Sequence, residues 1–116
     1  MNKLNIYYCP NCKNVGIAYG KAQIECCDCR IEPVTIENLN TIPTITEMDG
    51  EYLLNYACPM TKDDFIASVV VERYDRVELI RLFPEQEAQV RVAQVKGTKI
   101  YTVFFRQGKV WCEVMK

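Results

Sequence analysis

The sequence predicts an all-β protein in two parts, a small metal-stapled module followed by an antiparallel β-sandwich. Nearly every apolar run is short, rich in β-branched and aromatic residues, and closed by a turn signal. No window around the cysteines has a helical period, and five of the seven cysteines crowd between Cys9 and Cys29. A chain of 116 residues holds one sandwich-sized core, or a small module plus such a core, and not two full domains.

In chain order, the β-prone pieces LNIYY (4–8), QIECC (23–27) and VTIE (34–37) surround the cysteines. The stretch NLNTIPTITEMDG (38–50) has weak pattern and reads as the linker, which divides the chain into a cysteine module at 1–38 and a sandwich at 39–116. Longer strands begin at about Glu51: EYLLNY, FIASVVVERY, RVELIRLF, AQVRVAQV, TKIYTVFFR and KVWCEVM. Val90 and Val92 alternate with Gln89 and Arg91, as a half-buried strand requires. Turn signals separate the runs: Asp49-Gly50, FPEQE at 83–87, KGT at 96–98 and Gln107-Gly108. Arg73, Arg76, Glu78 and Arg81 alternate with apolar residues and read as the exposed face of two paired strands.

Cys9 and Cys12 form a Cys-x-x-Cys pair, followed after thirteen residues by Cys26, Cys27 and Cys29. A Cys-x-x-Cys turn lets two thiolates converge on one ion, and two such turns make a closed tetrathiolate site. On spacing, Cys26 with Cys29 supplies the second pair, so the assigned ligands are Cys9, Cys12, Cys26 and Cys29. One cysteine is surplus, and Cys27 is the alternate ligand, either in place of Cys26 or as an adjacent Cys26-Cys27 pair with Cys29 spare. The expected ion is zinc or iron, acting as a staple, because four protein thiolates leave no open coordination position. An odd cysteine number clustered at one end argues against a secreted disulfide scaffold.

Lysine plus arginine number 14 against 15 aspartates plus glutamates, so the chain lacks the basic excess that binding a phosphate backbone requires. No apolar run is long enough to span a bilayer, and the N-terminus has no signal-like apolar segment. The expectation is a cytoplasmic protein with no nucleic-acid or membrane partner.

The order of these pieces resembles desulfoferrodoxin, the two-domain superoxide reductase family. The resemblance lies in IYYCPNCKN, the vicinal CC followed by IEPV, CPMTKDDFIA, and YDRVELIRLFPEQEAQVRV. It implies a rubredoxin- or desulforedoxin-like metal module, in which the vicinal Cys26-Cys27 pair is favoured, followed by an immunoglobulin-like β-sandwich. In that family the sandwich carries an iron held by four histidines and one cysteine, which reduces superoxide to hydrogen peroxide with an electron from outside. This chain has no histidine. The expected ligand positions fall at Thr41, Cys58, Asp64, Phe104 and Gln107, so all five are replaced. The expected protein is therefore a non-catalytic relative with a tetrathiolate ion and no superoxide-reducing iron. The alternatives are a rubredoxin-like electron carrier with iron in the cysteine site, or a residual superoxide reductase or redox activity involving Cys58 and Asp64. Asp63-Asp64 otherwise reads as a solvated turn, and Cys112 as a buried small apolar residue. A homodimer and an unidentified protein partner are the partner classes left open.

Overall fold

The computed structural model describes residues 3–20, 22–38 and 43–115. These residues form strands and turns with no helix, and none of their segments is a helix long and apolar enough to cross a membrane. Thr41 lies outside them. The chain divides into two compact units, Met1–Thr35 and Ile36–Lys116. This division falls three residues before the sequence-based one, because residues 36–38 form a strand that pairs inside the second unit.

The first unit is two short hairpins. Strands β1 (Leu4–Tyr8) and β2 (Val15–Tyr19) pair antiparallel from Leu4↔Tyr19 to Tyr8↔Val15. Their connection is the Cys9–Cys12 knuckle, closed by Lys13 N–H donating to the Cys9 carbonyl at 2.7 Å and Cys9 N–H to the Asn14 carbonyl at 2.9 Å. Lys13 takes φ of 64°, the left-handed conformation that ends the knuckle. Strands β3 (Ile24–Cys26) and β4 (Cys29–Ile31) form the second hairpin. The chain then returns to β1, where Val34 N–H donates to the Ile6 carbonyl at 2.7 Å. Among the described residues of this unit only Leu4, Ile6, Tyr7, Tyr8 and Cys9 are buried, while β2 is half-buried for most of its length. So small an apolar core, in a unit of 35 residues, is below the size that folds without a staple.

The second unit is a sandwich of two sheets. One has the order β10-β7-β6 and the other β5-β12-β11-β8-β9, built from β5 (Ile36–Asn38), β6 (Thr44–Met48), β7 (Glu51–Asn55), β8 (Asp64–Glu72), β9 (Val77–Arg81), β10 (Gln89–Ala93), β11 (Lys99–Arg106) and β12 (Lys109–Met115). All pairs are antiparallel except β12 with β5, a parallel edge pair. That exception departs from the purely antiparallel expectation, and it arises because β5 enters from the preceding unit and not through a hairpin. Central β8 is buried from Phe65 to Val71 and β11 from Ile100 to Phe104, which explains their near-continuous apolar sequence. Polar groups inside are mostly satisfied locally: Tyr56 and Thr102 hydroxyls share a hydrogen bond of 2.9 Å, and Trp111 Nε1–H donates to the buried Glu113 carboxylate at 2.9 Å. A bulge shifts the β11–β8 register between Val103 and Phe104, leaving Ala67 to accept from Leu82 N–H at 3.1 Å.

Candidate metal centre

The first knuckle aims amide N–H groups at a sulfur. The Cys12 amide, with help from the Asn11 amide and the Cys26 and Cys12 thiols, lowers the Cys9 thiol to about 6 against the opposition of burial. Across the unit, Cys26 Sγ lies 3.1 Å from Cys12 Sγ and 4.0 Å from Cys27 Sγ. The sulfurs of Cys9, Cys12, Cys26 and Cys27 all lie within 4.8 Å of one another. Contact with the Cys12 and Cys9 sulfurs pushes Cys26 up to about 12 and raises Cys27 as well. Negative charge on one sulfur thus opposes it on the next. A divalent cation at their centre would remove that conflict, since it holds all its thiols deprotonated.

The structure leaves Cys29 out of this group. Cys26 and Cys29 are paired residues of the β3–β4 ladder, and the two residues between them form its turn, Cys27 with φ of 54° and Asp28 with φ of 61°. Positive φ at both turn positions is the two-residue hairpin geometry that matches strand twist. The Cys-x-x-Cys spacing at 26–29 is therefore spent on a hairpin, not on a second knuckle. Cys29 is exposed. The vicinal pair is what meets Cys9 and Cys12.

The sandwich brings several of the remaining candidates to one end. Met60 has φ of 54°, receives the Glu85 N–H on its carbonyl at 2.6 Å and the Ile66 N–H on its sulfur at 3.3 Å, and so anchors the loop 56–63. Gln107 N–H donates to the Asp63 carbonyl at 2.8 Å, tying that loop to the β11–β12 turn, where Gln107 and Gly108 both take positive φ. Cys58 Sγ sits 3.9 Å from an Asp64 carboxylate oxygen, and Arg106 Nε donates to the other at 3.3 Å. The Arg106 guanidinium also lies over the Trp111 ring, 5.6 Å from its centroid. Burial raises the Cys58 thiol; the Met60 amide opposes this, and the Asp64 charge adds to it. Phe104 is buried and stacked on Trp111 with ring centroids 5.4 Å apart. Cys112 is fully buried, and burial pushes its thiol up to about 12. Arg73 pairs with Glu78 as the strand reading anticipates, yet its side chain is only 8% exposed.

The fold and the cysteine group together define an all-β protein with a thiolate cluster suited to a metal ion and a separate sandwich. The superoxide reductase of Treponema pallidum has the same fold: the two superpose with a TM-score of 0.71 over 96% of this chain and 97% of that one, at 16% identity. This bears out the fold that the sequence resemblance implies. No family model and no curated protein matches the sequence.

Proposed function

We propose that this protein is a non-catalytic member of the superoxide reductase fold, in which one metal ion held by Cys9, Cys12, Cys26 and Cys27 staples the N-terminal unit and the sandwich has no catalytic iron. Four sulfurs within 4.8 Å carry this reading. They are the donor set for a closed zinc or iron site, which contributes folding energy and offers no position to substrate. Zinc is the expected ion for a staple. Ferric iron on the same thiolates would give colour and a one-electron couple, and the visible spectrum of anaerobically purified protein separates the two.

The sandwich residues do not suit an iron centre. Among the described residues no other cluster of three or more cysteine, aspartate or glutamate side chains could hold an ion. Cys58 and Asp64 are two donors, and the Asp64 carboxylate already faces a cation, the Arg106 guanidinium. Phe104 offers no donor and fills apolar volume against Trp111. Two ligands cannot fix a divalent ion against water, whereas redox catalysis needs it held with an open position. The remaining role is structural or binding, with a second copy or another protein as partner in a reducing compartment. A superoxide-consumption assay with a competent electron donor tests the reading: no turnover is expected, and turnover abolished by Cys58→Ala would overturn it.

A further inference from the structure

Cys29 is the one cysteine of the N-terminal cluster that the proposed ligand set does not use, and it stands directly across the β3–β4 ladder from Cys26, which that set does use. Residues opposite one another in an antiparallel ladder share a face, with Cα atoms about 4.5–5.5 Å apart. That separation lies inside the range of roughly 4.4–6.8 Å that a disulfide spans. The two-residue turn holds the pair in register through the left-handed Cys27 and Asp28. Cys29 is exposed, so its sulfur is open to solvent and free to change rotamer.

We propose that Cys26 and Cys29 form a peroxide-driven disulfide that ejects the metal ion, making the staple a reversible redox switch. This rests on the reading of Cys9, Cys12, Cys26 and Cys27 as the metal site. The oxidant is a hydroperoxide. Hydrogen peroxide transfers one oxygen to the Cys29 sulfur: an S–O bond forms, the O–O bond breaks and one water leaves, giving a sulfenic acid. The Cys26 sulfur then attacks the Cys29 sulfur. The S–S bond forms and the S–O bond breaks; because Cys26 enters as the metal-bound thiolate, the hydroxide that leaves takes a proton from solvent and departs as a second water, so the two sulfurs lose two electrons and the peroxide gains them. Cys26 no longer offers a thiolate, and three sulfurs remain where the ion needs four. A dithiol reductant restores both thiols and the site. Because the first unit has little apolar core, loss of the ion converts a local sulfur reaction into unfolding of that unit.

The test uses the full chain loaded with zinc, with zinc content measured before any oxidant is added. Hydrogen peroxide should release the zinc, and alkylation with fragment mass analysis should then find Cys26 and Cys29 blocked while Cys27 is alkylated. Dithiothreitol should restore binding. Cys29→Ser and Cys29→Ala should bind zinc as the parent does and release it at least about tenfold more slowly under peroxide, because the exposed sulfur that peroxide oxidises, and that Cys26 then attacks, is gone. Release at the parent rate in both variants would overturn the proposal, as would a disulfide joining Cys12 to Cys26 or Cys26 to Cys27. Failure of the Cys29 variants to bind zinc would make Cys29 a ligand and overturn it as well. A parent chain that binds no zinc before oxidation would instead overturn the metal reading on which the switch rests.

Discussion

Two loops of this molecule bring a cysteine toward further donor groups, and they differ in what meets the charge. In the N-terminal unit four sulfurs approach one another around the Cys9 knuckle, and they push one another's protonation apart. In the sandwich, Cys58 meets a single carboxylate, and that carboxylate is already answered by Arg106. The first arrangement offers four donors, and the groups that chiefly shift its thiols are amides and other sulfurs, not a cation of the protein's own, so it suits a metal ion. The second is satisfied by the protein's own guanidinium. Donor number and the presence of an internal cation, more than the presence of a cysteine in a tight turn, separate a metal site from a loop that has the shape of one.

The largest effect expected from breaking this contrast is at the first knuckle. Cys12→Ser should abolish metal binding and remove a contribution on the order of 10 kcal/mol to folding of the first unit. Amide hydrogen exchange should then show β1 to β4 unprotected and β8 and β11 still protected; full metal occupancy in this variant would refute the site. In the sandwich, Met60→Ala removes a buried side chain whose sulfur accepts the Ile66 amide. It should lower stability in urea by about 2–5 kcal/mol while metal content stays unchanged. Tyr56→Phe leaves the buried Thr102 hydroxyl without its partner and should cost about 1–2 kcal/mol in the same measurement. Asp64→Asn should be the mildest, at most about 1 kcal/mol, because the Arg106 side of the pair is exposed and Asp64 is only half-buried. A loss of bound metal in that variant would erase the contrast between the two loops.

Acid sharpens the same contrast. Cys9 has its thiol lowered from 9.0 to about 6, so the hydrogen bonds to its sulfur stabilise the folded unit fully above the unfolded value and lose that effect as pH falls through about 6. Protons also compete with the ion for all four sulfurs. Metal release followed by loss of β1–β2 exchange protection on acidification, with the sandwich strands unaffected, is the expected sequence in a pH titration.

Much of this was legible in the sequence. The strands β7 to β12 follow their apolar runs closely, since long paired strands with a buried face write that face into alternation or continuous hydrophobicity. Strand β6 was hidden in the linker because Thr44–Met48 is an edge strand exposed along its whole length, with no buried face to produce a pattern. Strand β5 and the hairpin β3–β4 are three residues per strand, too short for any period. Strand β2 is half-buried over most of its length, so its residues follow no sharp rule. At the site, Cys9 and Cys12 could be read from spacing, while the choice among Cys26, Cys27 and Cys29 could not. Spacing favours Cys29, and the backbone uses that spacing for a turn with positive φ at Cys27 and Asp28, a conformation that aspartate tolerates and cysteine does not announce. The ion pair of Arg106 with Asp64 joins residues far apart in sequence, and the antiparallel pairing of β8 with β11, in which the two stand opposite each other, brings them together.

The most direct test of the central claim is the number and position of metal ions after anaerobic loading with excess ferrous iron or zinc and removal of the unbound ion. Metal analysis per chain, repeated on Cys12→Ser, reports both. One ion per chain in the parent and none in the variant is the expected result. A second ion per chain that survives Cys12→Ser and disappears with Cys58→Ala would place a metal in the sandwich and contradict the account.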